Sequence, residues 1–124
     1  MHFDQRTQAA LREVGLSKEQ LREADDLVKE RTRADADALV EFFADRGTVY
    51  SDMDRAHGAG GPQEHTVDHL DCYTHAADIR GYLKFDSWGV PIEGGRPLED
   101  GTVELTLGPT IDGRVRFAAD PDDL

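Results

Sequence analysis

The chain has 124 residues, room for one hydrophobic core and too few for two ordinary domains. Acidic residues outnumber basic ones 26 to 14, a formal net charge of -12 that argues against nucleic-acid partners in ordinary salt. No apolar run approaches the roughly 20 residues of a membrane helix, and a single cysteine, Cys72, allows no internal disulfide.

The opening FDQRTQAALREVGL predicts a first helix, with Asp4 as N-cap, Ala9, Ala10, Leu11 and Val14 as its apolar side, and Gly15 just past its end. Ser17 and Gln20 have the spacing of a capping box. Leu21, Ala24, Leu27, Val28, Ala38, Leu39 and Phe42 then recur on one side at helical spacing. They predict a helix from about Lys18 to Arg46, with a break near Thr32, where TRAD offers a second cap. Arg31 and Asp35 are spaced for an i,i+4 pair, and Gly47 is a stop.

TVYSDMD predicts a short strand and RAHGAGGPQE a loop. The next stretch, QEHTVDHLDCYTH, Gln63 to His75, fits two periods. As a helix it brings His65, His69 and Cys72 within about 60° of one another and makes a second, more apolar stripe of Val67, Leu70, Thr74 and Ala77. As a strand it puts His65, Val67, His69, Asp71 and Tyr73 on one face. The apolar residues fit the helix slightly better. DIRGYLKFD, WGVPIEGGRPL, TVELTLG and RVRFAA read as strands by period-two alternation, with Pro91 at an edge or bulge and turns at Asp100-Gly101 and Asp112-Gly113. The expected architecture is one α+β domain over residues 1–124. A helical hairpin (1–47) packs on one face of a four- to five-stranded antiparallel sheet (48–119), and the tail (120–124) is loose.

Three constellations carry chemistry. On a helix, His65, His69 and Cys72 form a zinc-binding spacing, with His57 or His75 as a fourth ligand and Asp68 or Asp71 orienting an imidazole. Against it, the chain has neither CxxC nor HExxH, and the competing reading makes Cys72 a small buried hydrophobe and the histidines half-exposed polar residues. Cys72 with His69 or His75 has the residue types of a nucleophile and base, and Asp52, Asp54 and His57 those of an acid/base or divalent-metal site. No P-loop, GxGxxG or GxSxG supports a small hydrolase-type or other enzyme. The third constellation is the face opposite the helices, with Arg80, Tyr82, Lys84, Arg114 and Arg116 on strands and Trp88 nearby. Such a face fits a protein partner or self-association. Its single tyrosine is a poor platform for stacking bases, and pairing with Glu104 and neighbouring aspartates competes for its arginines.

The kind of charge is as informative as its sum. Asp outnumbers Glu 17 to 9, Arg outnumbers Lys 11 to 3, and asparagine is absent. Regular apolar periodicity argues against disorder. Short carboxylates hold water and cations, and at molar salt the screening length falls to about 3 Å, so self-repulsion is muted. The composition predicts a protein of the cytoplasm of a salt-accumulating halophile, with Cys72 a reduced thiol. The start has neither a basic n-region nor an apolar h-region. MHFDQRTQAALREVGLS, YSDMDRAHG and the closing DIRGYLKFDSWGVPIEGGRPLEDGTVELTLGPTIDGRVRFAAD resemble a family of small haloarchaeal proteins known as a domain of unknown function. That resemblance covers nearly the whole chain and implies no activity, cofactor or site. The expectation is a non-enzymatic binding or accessory protein without a cofactor, working through the sheet face, and alternatively a Zn2+ protein using residues 57–75 or a small hydrolase-type enzyme.

Overall fold

A computed structural model describes residues 3–44, 47–53, 62–108 and 113–124. It contains α1 (Gln5–Glu13), α2 (Lys18–Ala44), β1 (Thr48–Ser51), β2 (Gln63–His75), β3 (Asp78–Phe85), β4 (Gly89–Pro97), β5 (Val103–Leu107) and β6 (Gly113–Ala118), then a 3-10 turn at Pro121–Asp123. The class is α+β. The six strands form an antiparallel meander closed into a barrel, two helices precede it, and the helical hairpin on an open four- to five-stranded sheet is matched only in outline.

Both helix starts follow from their caps. The Asp4 carboxylate accepts from the Thr7 N–H at 2.7 Å, while Ser17 and Gln20 close a reciprocal capping box at 2.8 and 3.1 Å. Gly15 sits at φ 102°, the left-handed position that ends α1. The expected break at Thr32 does not occur. Its hydroxyl donates back to the Val28 carbonyl at 2.7 Å, and α2 runs on without interruption. The buried side of α2 is Leu21, Asp25, Thr32, Ala36, Leu39, Phe42 and Phe43, and Leu27, expected there, is exposed. The helical ion pair joins Lys29 to Asp25 at 3.2 Å, and none joins Arg31 to Asp35. No residue of α1 is buried, so α2 alone covers the core.

The core fills the barrel. Val49, Leu83, Val90, Leu105 and Phe117 are wholly buried on inward strand positions, and Leu39, Phe42 and Phe43 of α2 complete it, with Phe43 edge-on to Phe117 at 5.5 Å. Each such side chain contributes about 1.5–3 kcal/mol by leaving water. Closure is narrow. β1 meets β6 at Tyr50↔Ala118 and Ser51↔Phe117, extended by the Asp52 N–H donating to the Arg116 carbonyl and the Asp52 carboxylate accepting from the Arg116 N–H at 2.8 Å.

Gln63–His75 is strand throughout, contrary to the helical reading. A bulge between Val67 and His69 inserts Asp68 into the ladder. Inward positions are therefore His65 and Val67 before it and Leu70, Cys72 and Thr74 after it. The three-residue step from Val67 to Leu70 imitates a helical spacing. Pro91 lies within β4 opposite Tyr82, and the β4 bulge falls just beyond it, between Ile92 and Gly94. Gly101 has φ 84° at the β4–β5 turn, as expected for Asp-Gly, and of the second such pair only Gly113 lies among the described residues. The tail is tied down: Asp120 caps the 3-10 turn and Arg116 donates to the Asp123 carbonyl.

Candidate binding surface

The outer wall of the β2–β3 hairpin carries the exposed Tyr73 and Tyr82 together with Arg80 and Lys84. Register pairs Tyr73 with Arg80, Asp71 with Tyr82 and His69 with Lys84, all on outward positions. Tyr73 is 64% exposed and Tyr82 41%. Tyr82 lies over Gly89 on β4, where any side chain would collide with its ring. The Arg80 guanidinium donates to the Glu93 carbonyl at 2.6 Å and the Ile79 carbonyl at 3.0 Å, which holds it toward β4. Lys84 is held by the Phe85 carbonyl. His69 sits between Asp68 and Asp71, its ring nitrogens 3.4 and 3.5 Å from their carboxylates.

The other residues expected on this surface lie elsewhere. Trp88 turns inward and packs on Phe85, with ring centroids 4.7 Å apart. Arg114 and Arg116 point outward on β6, but β6 is three strands from β3 in either direction round the barrel. One continuous basic face therefore does not form. On the far wall Arg116 pairs with Asp100 at 3.2 Å and Arg96 with Glu104 at 3.2 Å, and Arg114 lines a shallow depression with Gly95, Arg96, Glu104 and Thr106. Asp100 is held below the usual carboxylate range by hydrogen bonds from the Thr102 hydroxyl and N–H and, less strongly, by Arg116.

The zinc donors are separated by the same bulge. His65 and Cys72 face inward, His69 and His75 face outward, and His57 lies outside the described residues. Among the described residues no three His, Cys, Asp or Glu side chains converge as a metal site would require. His65 is a core residue. Its Nε2 is 2.7 Å from Ser51 Oγ, its ring stacks on Phe85 at 4.7 Å, and Phe117 closes over it. A serine and histidine at that distance resemble a nucleophile and base, yet Ser51 is wholly buried and His65 is 4% exposed, so the pair lies in the core and not at a surface. Cys72 is half-buried, and burial, with the Asp37 carboxylate second, pushes its thiol pKa up, away from nucleophilic reactivity. Asp52 is engaged with the Arg116 backbone, and Asp54 lies outside the described residues.

Sequence reasoning missed Tyr73. The signal was its alternation with His69 and Asp71, which has meaning only once the segment is a strand beside β3.

The fold and this surface define a small α+β barrel protein with a long helix laid against its core. A family model matches residues 1–122, and the chain belongs to that family, a family of unknown function (DUF7532). Searches of curated proteins and of solved structures find no match.

Proposed function

We propose that this is a non-enzymatic binding protein whose recognition surface is the outer wall of β2 and β3, centred on Tyr73, Arg80, Tyr82 and Lys84. The observation that carries the reading is the pair of exposed tyrosines on the same wall as a guanidinium that is already fixed in place. Tyrosine and arginine contribute disproportionately to protein interfaces, and a pre-positioned arginine loses less entropy on binding. Asp71 opposite Tyr82 and Asp78 beside the turn place negative charge among the cations. That mixture favours a protein partner over a polyanion. The setting proposed is the interior of a cell rich in salt, consistent with a charge of -12.

The test is affinity capture at molar KCl with three chains: wild type, Tyr73→Ala with Arg80→Glu, and Arg114→Glu. The expected result is a co-purifying protein retained by wild type and by Arg114→Glu, which alters the far wall, and lost from the double variant. Identical partners for all three chains would overturn the proposal, as would recovery of nucleic acid alone.

A further inference from the structure

The barrel is closed between β1 and β6, but β2 is far longer than β1. Of β2, β1 pairs only with Gln63–Thr66, and the ladder ends where the Val67 N–H donates to the Gly47 carbonyl. From there to His75, among the described residues, β2 pairs on one side only, with β3.

The phase of the hairpin shows which backbone groups are left over. His75 and Asp78 close a two-residue loop, Ala76-Ala77, with Ala76 at φ 54°. The closing pair of such a hairpin exchanges both hydrogen bonds, and paired and unpaired residues then alternate along the strand. His75, Tyr73, Asp71 and His69 therefore turn their N–H and C=O groups toward β3, while Thr74, Cys72 and Leu70 turn theirs away. β4 agrees. Pro91, opposite Tyr82, has no N–H, and its carbonyl accepts from Gly108, so the Tyr82 groups serve β2. Among the described residues the outward-turned N–H and C=O groups of Leu70, Cys72 and Thr74 have no hydrogen-bond partner.

An edge of this kind is a template for another strand, and proteins usually blunt it with Lys, Pro or a charged inward side chain. On β2 itself the three positions are Leu, Cys and Thr, all half-buried, and the bulge at Asp68 lies before them. We propose that this edge is a self-association site, at which two copies of this chain pair their β2 strands antiparallel about a two-fold axis through Cys72.

The occupant follows from self-complementarity. With Cys72 opposite its own copy, Leu70 faces Thr74 of the second chain, and every free group on both edges is used. On the outer row Asp71 then faces Tyr73, a carboxylate beside a phenol, and no two like-signed fixed charges oppose one another. Sliding by two residues opposes Asp71 to Asp71 and runs the pairing into the bulge at Asp68. The inward side of the seam continues onto α2, where Asp37 lies near Cys72 and Lys29 and Arg33 lie beside Thr74. This inference does not rest on the outer-wall reading, because the edge and the wall are different surfaces of the hairpin.

The experiment is light scattering on the untagged chain at molar KCl under reducing conditions. Wild type and Cys72→Ala should run at twice the chain mass. Cys72→Pro removes the axial N–H on the free side while sparing the bonds to β3, and should run at the chain mass with an unchanged circular dichroism spectrum. Crosslinking with copper–phenanthroline and oxygen tests the register independently of that variant. Two thiols lose two protons and two electrons, the electrons pass through copper to oxygen, and one S–S bond forms between chains. Wild type should give a covalent dimer. In a Cys72→Ala background, Leu70→Cys with Thr74→Cys should do the same, and Leu70→Cys alone should not. Wild type at the chain mass, equal crosslinking of the single and double variants, or a complex containing another protein's strand in place of the second copy would each overturn the proposal.

Discussion

His65 shows how one residue is assigned by its surroundings. In isolation it is a candidate ligand or base. In the fold it is a buried aromatic whose Nε2 lies 2.7 Å from Ser51 Oγ. His65→Ala should cost about 3 kcal/mol, since it removes a ring packed on Phe85 and leaves the serine hydroxyl short of a partner. Ser51→Ala should cost about 1–3 kcal/mol. Urea unfolding of both single variants and the double variant measures their coupling, and additive losses would show that the contact adds nothing of its own. The residue types at positions 51 and 65 were legible from the start. Their contact was not, because it joins two strands across a fourteen-residue separation that no local pattern reports.

The elements separate into those set by local chemistry and those set by pairing. α2 belongs to the first kind, as its capping box is written in Ser17 and Gln20 and is realised in both hydrogen bonds. Ser17→Ala should lower stability by about 1 kcal/mol, read as a shift in the urea midpoint with an unchanged slope. β2 belongs to the second kind. Its residues alternate in the strand sense on either side of Asp68, but the extra residue shifts the phase halfway along. A period search that spans the bulge sees spacings of three and four and reports a helix. β3, β5 and β6 contain no such interruption, and their inward residues match the alternation.

For the whole molecule, the net charge of -12 is spread over a chain whose core is confined to the interior of a small barrel and one helix face. Self-repulsion should therefore weigh heavily in dilute buffer. Raising KCl from low to molar concentration should increase Tm by about 10 °C, equivalent to roughly 2 kcal/mol for a chain of this size. A Tm independent of salt, or one that falls, would show that the acidity is no adaptation to screening.

The class, the helix starts, the turn at Asp100-Gly101 and the positions of most strands were determined by the sequence alone, because caps, turns and alternation act over a few neighbouring residues. Closure of the sheet was decided only by the tertiary structure. It carried Arg114 and Arg116 to the wall opposite Arg80 and Lys84, turned Trp88 and His65 into the core, and brought Tyr73 beside Arg80. Among the described residues the same closure left the distal edge of β2 without a second strand, since the length of β1 relative to β2 sets where the ladder stops. Strand order and register are relations between segments distant in the chain, and side-chain placement on a barrel follows from them.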